Sequence, residues 1–292
     1  MLLKGFLPSK NLAEKEWDLI VTPQKNIFDW KLRYVWDARE LIALFVWRDF
    51  ISVYKQTILG PFWYLLQPTL QTLMYFVIFG LVARFPTGSI PPLVFYLSGT
   101  VLWGFFASSI SRVSNTFLSN TSLFGKVYFP RLVIPISVVI SNFVSFLIQT
   151  MFLVVVIAIY IGAGSTIRPT FWLALTPVLL LMIASLGFGL GIIISALTVR
   201  YRDLHYFVNF GIQFLLYTTP VVYQVSVLPQ SLRWIVLINP LTPIVEAFRF
   251  ALLGQGNINL LQLAYSLIVT IVILVISLVA FTRVEGTFMD YV

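Results

Sequence analysis

Six long apolar stretches run through the chain; polar segments separate the first five, and a longer, largely apolar segment joins the last two. None of the six contains Asp, Glu, Lys or Arg, and each is at least 20 residues long. At a rise of about 1.5 Å per residue, such a stretch crosses a hydrocarbon core of about 30 Å. The pattern predicts an all-α integral membrane protein with a transmembrane domain over residues 60–282 and spans at 62–83, 92–111, 132–161, 171–199, 206–225 and 260–281.

A mixed segment over residues 37–59 precedes the first span. Its polar residues recur at mostly helical spacing, and bulky apolar residues fill much of the remaining surface. A helix with one apolar side and one polar, partly basic side can lie in the plane of the membrane interface. Gly60 and Pro61 then let the chain turn, since glycine relaxes the backbone and proline suits the first turn of a helix. We predict an amphipathic interface helix whose polar side carries Asp37, Glu40, Arg48, Ser52 and Lys55.

The segment over residues 228–256 is apolar but interrupted by prolines and a glycine, and its apolar run over 234–245 is too short to span. It predicts a pair of re-entrant or interfacial half-helices between spans five and six. Glu246 and Arg249 lie three positions apart, where they could pair on one helix face. Such a pair is either a routine surface contact or a contact that helps hold an outer gate shut.

Charge indicates the orientation. Of the lysines and arginines, only Arg84, Arg168, Arg233 and Arg249 fall on one side of the predicted spans. Cytoplasmic loops carry the excess of basic residues. We therefore expect both termini to be cytoplasmic, namely an extension over residues 1–36 and a tail over 283–292, together with the loops at 112–131 and 200–203.

Composition fits the bilayer and excludes several other classes. The chain is 59% hydrophobic and 10% charged, with a mean hydropathy of +0.92. The net charge of +8 does not predict nucleic-acid binding, because the basic residues sit at span ends without a groove-like patch. There is no cysteine, and one histidine, His205, cannot form a multi-histidine metal centre. We expect a multi-pass protein of a bacterial cytoplasmic (inner) membrane.

The chain shows no energy source of its own. Ion-coupled transporters place ionisable residues within their spans, and the predicted spans have essentially none. Phe124-Gly125-Lys126-Val127 lacks the upstream glycine and the Ser or Thr after lysine that a phosphate-binding loop needs. No nucleophile–base arrangement appears either. We expect no catalytic residues, no metal and no cofactor in this chain, so energy has to come from a partner.

A docking surface for that partner is predicted in the loop over residues 115–130. Ser119, Asn120 or Thr121 can cap a short helix, and Gly125 or Pro130 can end it. An exposed apolar and aromatic face usually marks a protein interface. The alternative is a loop packed on its own membrane surface. The predicted face contains Leu123, Phe124, Val127, Tyr128 and Phe129.

Aromatic residues are a further chemical signal, at 16% of the chain. In span five they form a single stripe at i, i+3, i+7 and i+10, and span one adds several more. Aromatic rings can stack on the apolar face of a sugar, a contact that suits a sliding polymer. Core packing or lipid contact is the alternative. The residues concerned are Phe207, Phe210, Phe214 and Tyr217 in span five, and Trp63 and Tyr75 in span one.

Four segments together resemble a known family. They are YKQTILGPFWYLLQP at 54–68, FGKVYFP at 124–130, VRYRD at 199–203 and NPLTP at 239–243. Their order after an amphipathic segment is similar to the membrane (permease) subunit of ABC exporters for cell-surface polysaccharides such as O-antigen, capsule or teichoic acid. The resemblance covers residues 37–281.

The resemblance implies a homodimer of this chain joined by two copies of an ABC ATPase subunit, which binds ATP and Mg. An undecaprenyl-linked polysaccharide would enter near the interface helix and cross the membrane through a channel between the two copies. The rivals are an ABC exporter of a drug or lipid, and a membrane scaffold that transports nothing. The implied site residues fall into three groups: for ATPase coupling, a helix over about 119–130 with Ser119, Asn120, Leu123, Phe124, Lys126, Tyr128 and Phe129, and a second contact at Arg200, Arg202 and Asp203; for the channel, the six aromatic residues named above; and for the outer gate, Trp234, Asn239, Pro240, Pro243, Glu246 and Arg249.

Overall fold

The computed structural model describes residues 32–55, 57–120, 129–201, 203–256 and 258–291, and this part of the chain is helical without strands. The extension predicted over residues 1–36 lies almost entirely outside it. Short 3₁₀ turns occur at Gly60–Phe62, Phe171–Leu175 and Val225–Val227. The helices are α1 (Leu32–Asp37), α2 (Arg39–Tyr54), α3 (Trp63–Tyr75, continued by π-helical Phe76–Val82), α4 (Pro92–Ser114), α5 (Thr116–Ser119), α6 (Val133–Gly162), α7 (Thr176–Arg200), α8 (Leu204–Thr218), α9 (Gln230–Ile238), α10 (Leu241–Leu253) and α11 (Leu260–Tyr291).

Within the described residues, five helical segments are long and apolar enough to cross a membrane. A sixth crossing exists if α9 and α10, which bend by 93° at their junction, count as one span. Spans one to four and six were predicted to within a few residues. The five segments are Trp63–Val82, Pro92–Ser114, Val133–Gly162, Phe171–Thr198 and Leu260–Arg283.

The fifth predicted span is shorter than expected. Its helix, α8, has 15 residues and a length of about 22 Å, which falls short of a hydrocarbon core of about 30 Å. Thr219 is extended, with φ −105° and ψ 138°, because the residue before a proline avoids the helical region. Pro220 also lacks the N–H that would continue the helix. The prediction of a continuous span over 206–225 is therefore wrong at its C-terminal end.

Helix α4 forms the centre of the molecule. It packs against α6, α7 and α3, and most of its side chains are buried, including Tyr96 and Phe106. Its contact with α7 is close because α7 carries glycine there: a Cβ added to Gly191 would lie 2.6 Å from the Cβ of Val113. A small residue is thus required where these two spans meet.

Helix α2 packs against the bundle through part of its surface and leaves other apolar residues exposed. Phe45 of α2 is buried in a second apolar cluster with Val113 and Ile134, whereas Leu44 and Trp47 are about 60% exposed. The side chain of Asp49 is only 13% exposed. Apolar residues therefore point in several directions and an acidic residue faces the bundle, so the prediction of one apolar and one polar, partly basic side is wrong in this respect.

The connections define two ends of the bundle, named here after one arginine at each. At the Arg112 end, the ring of Phe117 stacks on Phe281 with centroids 5.6 Å apart. At the Arg168 end, the loop before α7 joins α10, because the amide of Thr170 donates to the carbonyl of Ala251 at 3.0 Å. The described chain begins with α1 and finishes with α11 at the Arg112 end.

Candidate functional site: an aromatic face, a buried arginine and a polar cavity

Helix α8 carries an exposed aromatic face. Its four predicted aromatic residues, Phe207, Phe210, Phe214 and Tyr217, are 60–69% exposed. They span ten residues, about 15 Å along the helix. The predicted stripe is therefore present on one face of a single subunit; that it lines a channel stays a prediction.

The two channel residues predicted in span one differ from each other. Trp63 begins α3 and is 45% exposed. Tyr75 is only 8% exposed: its hydroxyl accepts a hydrogen bond from Gln71 Nε2 at 2.8 Å, and its ring meets Phe79. The Tyr75 side chain therefore packs inside the subunit in this structure, and that it lines a channel stays a prediction.

Arg249 does not make the predicted pair with Glu246. No ion pair joins these two described side chains. The Arg249 side chain is 5% exposed, and its guanidinium group donates to the carbonyls of Pro220 and Val221, with longer contacts to the carbonyl of Phe95 and to Ser98 Oγ at 3.4 Å. It is also 3.8 Å from the centroid of the Phe95 ring.

These contacts resolve a problem that the break after α8 creates. The last carbonyls of a helix lack intrahelical partners, and unsatisfied backbone is costly at membrane depth. Here side chains from beyond the break supply the donors: Tyr223 Oη donates to the carbonyl of Tyr217 at 2.8 Å, and Asn239 Nδ2 donates to the carbonyl of Thr218 at 3.3 Å. Arg249 donates to the carbonyls of Pro220 and Val221, just beyond the break. The bent pair α9–α10 thus anchors the broken end of α8.

Gly99 of α4 leaves room for the Arg249 side chain because it has no Cβ. A Cβ on Gly99 would collide with the Arg249 guanidinium group and lie 2.7 Å from the carbonyl of Val221. Sequence reasoning missed this anchor. The available signal was a lone arginine between Phe248 and Phe250 in an apolar segment, since an ionisable residue in such a place demands partners.

The other predicted outer-gate residues surround the bend. Asn239 is buried; its Nδ2 donates to Thr219 Oγ1 at 2.9 Å, and its Oδ1 accepts from the amide of Leu241 at 3.0 Å. The carbonyl of Pro240 accepts from Ser266 Oγ of α11 at 2.6 Å. Pro243 is buried in α10, Trp234 of α9 is 59% exposed, and Glu246 is half-buried. Their role as a gate stays a prediction.

The structure describes only some of the predicted coupling residues. Ser119 ends the four-residue helix α5, and Asn120 Nδ2 donates back to the carbonyl of Thr116 at 3.0 Å. The ring of Phe129 meets Phe45 of α2 edge-on at 6.0 Å. Asp203 is exposed just before α8, and Arg200 ends α7. Leu123, Phe124, Lys126, Tyr128 and Arg202 lie outside the described residues.

An ionic network ties α2 to two spans at the Arg112 end. Arg112 Nη2 of α4 lies 2.7 Å from Asp49 Oδ2, and Arg112 Nη1 donates to Asn142 Oδ1 of α6 at 2.7 Å. Arg48 Nη2 contacts the other Asp49 oxygen at 2.9 Å. Asn142 Nδ2 is 3.4 Å from Ser109 Oγ. The Asp49 carboxylate thus fixes α2 against the Arg112 end of the bundle, which the sequence predicts to be the cytoplasmic end.

This network borders a cavity of about 750 Å³ between α2, α3, α4 and α6. Charged residues line one end, and hydroxyls, amides, aromatic rings and aliphatic side chains line the walls. Sequence reasoning missed the cavity, because its lining comes from four helices whose packing is not visible in the spacing of any one of them. The amides in spans were the available signal: Gln67, Gln71, Asn142 and Gln149 all line it.

No group of three or more His, Cys, Asp or Glu side chains that could hold a metal ion occurs in the described part of the chain.

Comparison with known proteins adds an independent line of observation. The family model described as "ABC-2 type transporter" matches residues 40–253. The O-antigen export system permease protein RfbA of Klebsiella pneumoniae is 30% identical over 261 residues, which cover 89% of this chain and 97% of that protein. A second protein of that name from the same organism is 28% identical with the same coverage. The protein of that name from Myxococcus xanthus is 29% identical over 75% of this chain and 82% of its own length.

Proposed function

The chain belongs to the ABC-2 type transporter family, and on that premise we propose that it is the permease subunit of an ATP-driven exporter of O-antigen-like polysaccharide. The observation that carries the proposal is the nearly full-length similarity to relatives named as O-antigen export permeases. Similarity along 97% of such a protein includes both the spans and the loops between them. The substrate in this proposal is a polysaccharide linked to an undecaprenyl carrier.

The aromatic face of α8 supports a polymer as the cargo. Phe207, Phe210, Phe214 and Tyr217 form a surface about 15 Å long without a charged group, and they are exposed in one subunit. Rings arranged along the direction of transport can stack on one sugar after another, and their apolar surface lacks fixed hydrogen bonds that would stop sliding. In the proposed homodimer, the faces of two copies line one channel.

The anchored end of α8 supports this arrangement. An exposed face can guide a moving polymer only if its helix holds its position. Tyr223 and Asn239 hold the last two carbonyls of α8, and Arg249 holds the carbonyls of Pro220 and Val221 just beyond it. The bent pair α9–α10 then acts as the outer gate at the mouth of the channel.

Energy is supplied by a separate ATPase that binds ATP and Mg. The proposed coupling segment, residues 119–130, begins at the last residue of α5, and α5 is in turn packed on α11 through Phe117 and Phe281. The Arg112 end faces the cytoplasm in this proposal, because the basic residues concentrate there. A push on the coupling segment therefore reaches α4 and α11 directly.

Export by paired variants tests the proposal. The gene is deleted in its host, variants are supplied in trans, and surface polysaccharide is compared with the amount of the permease in the membrane. The doubly substituted Phe210→Ala, Phe214→Ala protein is expected to export several-fold less polymer at an unchanged protein level. The matched control substitutes Ile268 and Val272, which are likewise exposed and four positions apart on α11.

Equal losses in both double variants would contradict a special role for the aromatic face. The exporter class itself is tested by purification with its ATPase. Co-purification of an ATPase that contains a phosphate-binding loop is expected, and normal surface polysaccharide in the deletion strain would overturn the proposal.

A further inference from the structure

The cavity between α2, α3, α4 and α6 is polar at one end and extends deep along the spans. Arg39, Asp49 and Arg112 lie at its charged end, whereas Thr100 lies twelve residues from Arg112 along α4, about 18 Å away. We propose that this cavity binds the phosphate-bearing head group of a membrane lipid, with the phosphate at Arg112 and Arg39. The inference rests on the proposed function, because it gives the carrier lipid of the exported glycan a place on the permease.

The charges at this end favour an anion. Arg112 uses two of its five N–H groups, on Asn142 and Asp49, and the described residues offer no acceptor to the remaining three. Asp49 is already shared between Arg112 and Arg48. The lining therefore holds two guanidinium groups against one carboxylate that two arginines neutralise. A guanidinium fork matches phosphate oxygens in geometry and charge.

The walls suit a sugar next to that phosphate. Gln67 and Gln149 line the cavity, and within the described chain neither side-chain amide forms a hydrogen bond to another protein group. Polar groups in a partly buried site need partners, which sugar hydroxyls can supply. Tyr64 and Phe105 line the same space and offer ring faces for stacking.

The cavity also reaches the surface where a lipid would approach. Trp47, which lines it, is 61% exposed. On α3, Leu70 and Met74 follow the lining residues Gln67 and Gln71 by three positions and are 56% and 55% exposed. A head group in the cavity would thus leave its hydrocarbon chain against an apolar helix surface in the bilayer.

Lipid retention by the purified full-length chain tests the inference. The probes are undecaprenyl phosphate, undecaprenol and phosphatidylglycerol, each added to the detergent-purified protein, and bound lipid is counted by native mass spectrometry. Undecaprenyl phosphate and undecaprenol share a tail and differ in the phosphate. We expect the phosphate form to be retained about tenfold or more over the alcohol, as charge-assisted hydrogen bonds allow.

Two variants report on the site in different ways. Arg112→Gln removes the proposed phosphate ligand, while Asp49 keeps Arg48 as a partner, and retention is expected to fall about tenfold. Gly104→Leu leaves every charge in place and fills the cavity, since among the described residues only Gln149 Oε1, at 3.9 Å, lies near a Cβ at this position. Arg168→Gln, at the opposite end of the bundle, is the matched control and should retain lipid like the native chain.

Each outcome decides one point. Equal retention of undecaprenol and undecaprenyl phosphate, or full retention by both Arg112→Gln and Gly104→Leu, overturns the phosphate site. If phosphatidylglycerol is retained as well as undecaprenyl phosphate, the phosphate site stands but its assignment to the carrier is overturned. Because the assay needs neither an ATPase nor transport, a chain that binds undecaprenyl phosphate but exports no polymer refutes the proposed function alone. A chain that exports polymer without a phosphate preference refutes this inference alone.

Discussion

The guanidinium group of Arg249 lies 3.8 Å from the centroid of the Phe95 ring, although the two residues are 154 positions apart in the chain. This contact joins α10 to the first turn of α4, and the same guanidinium group serves the carbonyls beyond α8. One side chain thereby fixes three elements. Arg249 thus holds these elements together at the Arg168 end of the bundle.

Arg249→Met tests that anchor. The change keeps a long apolar side chain but leaves the carbonyls of Pro220 and Val221 without their donor, so we expect about 2–4 kcal/mol of destabilisation. Thermal unfolding of the detergent-purified protein measures it. Arg168→Met, on an exposed loop residue, is the control. Similar melting temperatures for both variants would show that Arg249 is not an anchor.

Gly99→Ala should destabilise the protein through steric conflict alone. A Cβ at Gly99 would meet the Arg249 guanidinium group and the carbonyl of Val221, so one of them has to move, at a cost of about 1–3 kcal/mol. Gly104→Ala is the matched control on the same helix, because a Cβ there makes only an ordinary contact. The two melting temperatures are compared directly, and a control that melts as low as Gly99→Ala would contradict the geometric explanation.

The contact of α4 with α7 predicts a rescue. Gly191→Ala places a methyl group against Val113 and should lower the melting temperature, since overpacking a tight contact costs about 1–3 kcal/mol. Adding Val113→Ala removes Cγ1, one of the two obstructing side-chain atoms, and keeps Cβ, so the double variant should regain only part of the loss. Destabilisation that is simply additive would indicate that the two positions do not share this contact.

The link between Asp49 and Arg112 predicts how firmly α2 is held. Asp49→Asn weakens contacts to both Arg48 and Arg112, so amide hydrogen exchange in α2 should accelerate about twofold to fivefold, which corresponds to about 0.5–1 kcal/mol for partly exposed pairs. Glu40→Gln, on an exposed position of the same helix, should leave exchange unchanged. Exchange is followed by mass spectrometry of α2 peptides, and equal rates in the two variants would refute the link.

The sequence was most informative where the bilayer limits the possible structures. Uncharged stretches of sufficient length have to become helices in lipid, so the bounds of most spans were predicted closely. The aromatic stripe of α8 was also predicted, because residues at helical spacing share a face wherever the helix lies.

Tertiary contacts explain what could not be predicted. Arg249 had a near neighbour in Glu246, but its partners are backbone carbonyls that become available only because α8 ends before Pro220. Tyr75 is buried inside the subunit, which the sequence did not predict, since spacing along α3 does not say which face packs against α4. The cavity forms only where four helices pack together, and no single stretch of sequence shows how they pack.

The cavity changes the membrane next to the protein. A space of about 750 Å³ equals the volume of roughly 25 molecules of liquid water, and its guanidinium and amide groups hydrate readily. Filled with water, it forms an aqueous inlet that extends about 18 Å from the Arg112 end along α4, more than half of a hydrocarbon core of about 30 Å. With the Arg112 end at the membrane surface, as the charges predict, a hydrophilic head group would cross less than half of the usual hydrocarbon thickness on this side of the protein.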